Sequence, residues 1–594
     1  MARLADGVSL EAAQAEMTLI AQRLEATYGN DHDGIDASVI PLHEYTVGRS
    51  RQLLVLLLGG VGVVLLATCA NVGNMVMARG TDRLRELAVR QALGAGRGRI
   101  VRMLFVENAV LAAAGVGTGV LASVGLVRGL VALAPASIPR LDEVGIDVRT
   151  TLAAAALAVV TPLLFGLLPS WQISRAVPRE TLAEGGRSGT QASGGRARQG
   201  FVAVEIAIAL LLVTGAGLLG RSFLRLLDVE LGFRPDRVLT LQTTVPGSTY
   251  PDPEDAARLY DRWLAQAATV PGVEAVGLVN APPLSGFDAN GGFMLEGQDW
   301  ADIQGNWTAQ SAVYRVASGA YFDAMGMTVR RGRTFDATDV AGGEPVAVIN
   351  EALARKHFAG VDPIGRRIRF AGMDAVNPWL TIVGVVADIR FRDPAQPAQP
   401  EVFVDFRQLP TRTRYFVTTA IRLRPGFSDA ALVSALRDEW RRLDPDVPLE
   451  FDRMVTLVDR ATANRRFTFA VVGAFGALAL VLAAIGVYGI LAYTVTQRSR
   501  EIGIRMALGA SRGAVTRLVF GGVIGAVGAG VAAGIVAAAG LTRFLESFLY
   551  DNTALDPSTF AGAAAVLVLV SLAAAWSPIR RAARIDPAIV MREE

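Results

Sequence analysis

The residues whose types and spacing invite chemistry are arginines and glutamates, and they come twice. Residues 83–102, RLRELAVRQALGAGRGRIVR, return at 498–517 as RSREIGIRMALGASRGAVTR, at a constant offset of 415. Glu86 stands four residues before Arg90, and Glu501 four before Arg505. That spacing puts acid and base one turn apart on one helix face, in the order that supports an exposed helix by about 0.3–0.5 kcal/mol per pair. Arg83 and Arg498 open the two copies, and Gly94 and Gly509 stand where a left-handed glycine would end each helix. Leu84, Leu87 and Ala88 give the first copy an apolar face. The chemistry on offer is docking through complementary charge. Membrane topology alone requires positive charge, but it does not require the same ALGA turn and the same Glu–Arg spacing twice.

Bond-making chemistry finds little support. A phosphate-binding Walker A loop needs Lys followed by Ser or Thr, and the single lysine, Lys356, is followed by His357. His32, His43 and His357 have no metal-ligand spacing of the HExxH kind. Ser285 lies in a Gly/Pro-rich stretch that turn chemistry explains. Glu205 interrupts the apolar run FVAVEIAIALLL. An acid in a membrane segment is a functional suspect, but about a turn from the interface it is expected to snorkel or to pair with Arg198. The pairs Gly115/Gly119, Gly521/Gly525 and Gly530/Gly534 are read as close helix packing in lipid.

The elements that must position the repeated helix are apolar blocks. Of 594 residues, 52% are hydrophobic, and they gather into seven runs, each near the ~20 residues that cross a bilayer. The runs lie at about 53–78, 109–134, 151–173, 201–226, 467–494, 518–541 and 557–576. Arginine is concentrated at 79–103, 174–200, 495–517 and 577–594, which alternate correctly across seven spans. The positive-inside rule then places both repeated helices and the C-terminus in the cytoplasm. The net charge of +3 comes from these flanks, so it points to lipid and topology and not to nucleic acid. One cysteine, Cys69, allows no intrachain disulfide. Pro169, Arg175 and Pro178 return as Pro578, Arg584 and Pro587, so the span ends repeat as well.

Between the fourth and fifth runs lies a polar insert of α/β pattern. Strands are expected at 237–245, 273–279, 346–350, 380–391 and 415–423, and helices at 255–268, 351–358 and 428–443. An amphipathic helix is expected at 9–28, in a segment that resembles 428–466. The chain therefore reads as one whose first domain is cut short at its N-terminus.

RELAVRQALGAGRGRIVRMLFVEN, its second copy REIGIRMALGASRGAVTRLVF and their flanking spans resemble the FtsX/MacB-type permeases of ABC transporters. The insert, opening GFRPDRVLTLQTTVP and continuing VNAPPLSG, resembles the MacB-like periplasmic core domain, and two fused permease units are similar to the acidobacterial duplicated orphan permeases. The resemblance implies an α-helical integral membrane protein with two FtsX-like units, seven spans here and eight in a full chain, and an α/β periplasmic domain. The implied divisions are 1–52, remnant of a first periplasmic domain; 53–173, first permease unit; 174–200, cytoplasmic linker; 201–226, membrane helix; 227–460, periplasmic core domain; and 461–594, second permease unit. It implies no enzyme activity and no cofactor in this chain, ATP being bound by a cytoplasmic ABC ATPase seated on Arg83, Glu86, Arg90 and Gly94 and on Arg498, Glu501, Arg505 and Gly509. A periplasmic adaptor or substrate protein is a further candidate partner, beside membrane lipid, in the bacterial inner membrane. The alternative is an envelope regulator of FtsX type that controls a cell-wall hydrolase without transport.

Overall fold

The structure is a computed structural model that describes residues 2–28, 37–82, 90, 93, 96–135, 138, 141–156, 190–287, 289–298, 310–370, 373, 377–414, 416–508, 510–582 and 584. Its helices, in chain order, are α1 (Leu10–Tyr28), α2 (Leu42–Asp82), α3 (Arg97–Leu133), α4 (Thr190–Leu227), α5 (Pro253–Thr269), α6 (Ala320–Met325), α7 (Glu351–His357), α8 (Asp429–Leu443), α9 (Met454–Gln497), α10 (Ser499–Ala507), α11 (Arg512–Leu541) and α12 (Pro557–Ala582). The chain divides into two units, Met1–Tyr45 with Asp228–Ala463, and Thr46–Leu227 with Asn464–Glu594.

The first unit is built on strands β1 (Val238–Thr243), β2 (Val273–Val279), β3 (Asn290–Leu295), β4 (Ser311–Ala317), β5 (Val329–Gly332), β6 (Val346–Asn350), β7 (Arg367–Phe370), β8 (Leu380–Val386), β9 (Glu401–Asp405), β10 (Val417–Leu423) and β11 (Glu450–Arg453). They pair in the order β11-β1-β10-β2-β4-β3-β7-β8-β6-β9, with β5 on β8. A parallel pairing of β9 with β4 closes the second part of that path into a ring. Most other pairs are antiparallel, with β6–β8 also parallel.

Helix α5 shows why these residues fold as they do. Asp252 precedes Pro253, whose fixed φ suits a first helical position. Ala256, Leu259, Tyr260, Trp263 and Ala267 recur at helical spacing and are buried. Helix α8 buries Leu432, Leu436 and Trp440 at four-residue steps. The two helices meet where the Trp263 and Trp440 rings stand edge-on, 4.8 Å apart. Trp263 Nε1 donates to Thr419 Oγ1 at 3.0 Å, so the indole is buried without losing its hydrogen bond.

The second unit is helical. Among the described residues, six segments are long and apolar enough to cross a bilayer by length and composition: Arg51–Met75, Ala113–Leu133, Arg198–Leu227, Met454–Gln497, Ile524–Phe548 and Pro557–Ala582. The expected run at 151–173 lies outside the described residues beyond 156. The expected linker, 174–200, is described only from 190, and there it is helical, not loose. The apolar stretch after Phe201 nucleates α4, and extending an existing helix backwards is far easier than starting one.

The glycine pairs divide. A Cβ on Gly530 would stand 2.6 Å from the Ala203 carbonyl oxygen, and one on Gly534 would stand 2.9 Å from Leu210 Cβ, so α11 and α4 touch backbone to backbone. Gly115, Gly119, Gly521 and Gly525 have nothing within 4 Å, so close packing does not explain them among the described residues.

Candidate functional site

The second copy of the repeated motif forms α10, a nine-residue helix between α9 and α11. Its inner side is anchored by Ile502, fully buried in a cluster with Val202, Ile206, Val487 and Leu491, with Met506 packed against it. Its outer side carries the charges. Glu501 and Arg505 form the expected i,i+4 ion pair at 2.7 Å, with side chains 43% and 48% exposed. At that exposure the pair is worth only a few tenths of a kcal/mol to the fold. Leu508 follows at 83% exposed, beyond the last helical residue. Ser511 then starts α11, its Oγ accepting from Ala514 N at 3.3 Å. The local design is a short amphipathic helix, apolar inward and charged outward, with one large apolar side chain presented at its end. Gly509 lies outside the described residues.

Of the first copy, Arg83, Glu86 and Gly94 lie outside the described residues, and Arg90 lies within them. Arg90 is exposed, with its guanidinium against the Met103 sulfur. Leu93, the counterpart of Leu508, is 82% exposed. Arg498 sits at the residue before α10.

Glu205 corrects an expectation. It is 2% exposed and does not snorkel. Its carboxylate accepts a hydrogen bond from Asn71 Nδ2, and the same amide donates to the Leu482 carbonyl at 3.0 Å. The carboxylate fills a notch at Gly486, where a Cβ would stand 2.0 Å from Glu205 Oε2. One polar contact thus ties α2, α4 and α9. The Arg198 guanidinium, two helical turns earlier, lies 4.0 Å over the Tyr493 ring. The signal available in sequence was Asn71 itself, an amide inside an apolar run.

A second polar cluster joins α4 to the start of α12. Arg221 pairs with Asp556 at 2.6 Å and also reaches Ser558. Asp556 Oδ2 accepts from Thr559 Oγ1 at 2.5 Å, from Ser558 Oγ at 2.8 Å and from Thr559 N at 3.1 Å. The Thr559 and Ser558 hydroxyls hold the Asp556 carboxyl down to about 2.

Two families match the chain. The FtsX-like permease C-terminal family matches residues 59–178 and again 473–587. The MacB-like periplasmic core domain matches 203–439. The macrolide export ATP-binding/permease protein MacB of Azoarcus sp. is 29% identical over 299 residues, 48% of this chain and 43% of that protein. The MacB of Mannheimia succiniciproducens is 24% identical over 301 residues, 49% of this chain and 45% of that protein. The periplasmic region of MacB from Actinobacillus actinomycetemcomitans covers 40% of this chain and 96% of that one, at 14% identity and a TM-score of 0.26. The chain spans about half the length of the curated relatives it matches.

Apolar helices long enough to cross a bilayer, an α/β domain matched by the MacB-like periplasmic core and a short charged helix between spans mark a multi-pass membrane protein. Within that class its matches, the FtsX-like permease C-terminal twice and the MacB-like periplasmic core domain once, are of the FtsX/MacB type.

Proposed function

We propose that this chain is the permease subunit of an ABC system, coupling ATP hydrolysis on a separate ATPase to movement of its periplasmic domain, for export or for transmission of force. The observation that carries this reading is the second repeated helix: Ile502 anchored at full burial while Glu501, Arg505 and Leu508 face outward, inside a segment matched by the FtsX-like family. Such a helix is shaped to be gripped from outside the bundle. The first copy, with Arg83, Glu86, Arg90 and Gly94, is a second seat of the same kind, beside Arg498, Glu501, Arg505 and Gly509.

The finer reading is two FtsX-like permease units, with seven spans in this sequence. The boundaries 1–52, 53–173, 174–200, 201–226, 227–460 and 461–594 follow from it. The arginine distribution supports cytoplasmic placement of both seats and the C-terminus, with 227–460 outside. A periplasmic adaptor or substrate protein is the partner suited to 227–460.

Gentle purification from native membranes, with mass spectrometry of co-purifying proteins, tests this. A P-loop ATPase should be recovered near stoichiometry and lost from the Arg90→Glu/Arg505→Glu variant. Unchanged recovery in that variant would remove the seats from the mechanism.

A further inference from the structure

The last membrane helix ends in a feature that the coupling function does not use. An open hollow of about 470 Å³ is lined by Trp576, Ser577, Arg580, Arg581 and Arg584. We propose that it binds the phosphate group of an anionic phospholipid, with the acyl chains laid along α12.

Three observations at the end of this helix converge. Ser577, Arg580 and Arg581 fall at i, i+3 and i+4 on α12, and Arg584 lies just past its end, its amide donating to the Arg581 carbonyl at 3.1 Å, so one hydroxyl and three guanidinium groups line one hollow. Among the described residues, no acidic residue lines the hollow. Guanidinium forks match phosphate oxygens in pairs, and three of them meet around one hollow with no carboxylate lining it among the described residues.

Above the charges, Leu569, Leu572 and Trp576 continue the same face and are 65%, 47% and 61% exposed. An apolar stripe leading up to a cationic end is the shape of a phospholipid. The Arg580 guanidinium stands 4.9 Å from the Trp576 ring centroid, which holds the two groups at one depth. Trp is also the residue expected at the headgroup level of a bilayer.

The triad is not a general consequence of topology. At the repeat offset of 409, the positions of Trp576, Ser577, Arg580, Arg581 and Arg584 are held by Leu167, Leu168, Trp171, Gln172 and Arg175. The first half keeps one arginine of the three. A chain that needed only positive charge at a span end would have no reason to build the cluster on one half. The inference rests on α12 spanning the membrane and is independent of any ATPase partner.

Native mass spectrometry of the full chain, released from micelles holding equal phosphatidylglycerol and phosphatidylcholine, tests it. The wild type should retain phosphatidylglycerol, and R580Q/R581Q/R584Q should lose that adduct about tenfold or more. A control with the same charge change on the other unit, R258Q/R441Q/R442Q, should keep it. Equal loss in both variants, or no preference for phosphatidylglycerol in the wild type, overturns the site. Displacement of the adduct by millimolar glycerol phosphate would assign the hollow to a soluble phosphoester and overturn the lipid. Should the triple variant not fold, headgroup-labelled quencher lipid read against W576F decides the matter. Quenching lost in W576F supports the site, and quenching unchanged overturns it.

Discussion

The two units bury different things. The α/β unit buries large side chains: Trp263, Trp440, Tyr260, Tyr314 and Phe403 are all under 2% exposed. It even buries an ion pair, Arg315 with Glu401, N to O 3.7 Å, at 1% and 0% exposure. The helical unit buries alanine and glycine at its closest contacts. Ala209, Ala479 and Ala483 are at most 1% exposed, and Gly530 and Gly534 take the side of α4. The solvent explains the difference. In water, apolar area removed from solvent is the driving force, at roughly 25 cal/mol per Å², so bulk is favoured. In hydrocarbon that force is absent, and helices gain only from close fit and from the occasional hydrogen bond, so small residues and polar contacts such as Asn71–Glu205 do the work.

Five predictions break or sharpen this contrast. Trp440→Ala should cost the α/β unit about 3–5 kcal/mol, because the Trp263 ring loses its edge partner and a large void opens. Urea unfolding of the full chain, followed by near-UV circular dichroism, reads it, and a loss under 1 kcal/mol would mean that bulk is not what holds this unit.

Gly530→Ala should cost the helical unit about 1–3 kcal/mol, the Cβ meeting the Ala203 carbonyl. Gly521→Ala, with open space, should be neutral or slightly stabilising. Thermal melts in detergent compare them, and equal effects would refute backbone contact between α4 and α11.

Glu205→Ala should cost about 1–2 kcal/mol by removing the acceptor for Asn71, while Glu205→Gln, which retains an acceptor, should lose less. Indistinguishable melting temperatures for the two variants would show that the contact carries no weight.

Asp556 gives a pH signature. Its folded carboxyl is held below the ordinary value of 3.8, so its contribution is fully present above about pH 4 and is lost as pH falls toward 2. Melting temperature measured from pH 5 to 2.5 should fall more steeply in the wild type than in Asp556→Asn. Parallel curves would remove the cap from the account.

The smallest effect belongs to Glu501→Ala, expected to change stability by about 0.3–0.5 kcal/mol. A large loss would mean that the pair is structural and that the outer face of α10 is not held for a partner.

Much of this was legible in the residues. The strands at 273–279 and 346–350 lie where their alternating apolar residues put them, and α5 and α8 follow their helical spacing. The strands Asn290–Leu295, Glu401–Asp405 and Glu450–Arg453 were not foreseen. They are short, carry glycine or acids, and are defined by their neighbours: Glu401 is buried opposite Val313 of β4, with Arg315, two residues along that strand, 3.7 Å from its carboxylate. The Glu501–Arg505 pair could be read from spacing because i,i+4 geometry is local. The Asn71–Glu205 contact could not, since its partners are 134 residues apart and meet only when helices pack.

Leu93 and Leu508 are each more than four-fifths exposed at matching points of the repeat. Covering one such side chain would release roughly 1.5–3 kcal/mol, and until that happens both remain open to whatever inspects membrane proteins for greasy surface. If the proposed seats are where a partner docks, the supply of that partner would set how long a copy of this chain survives.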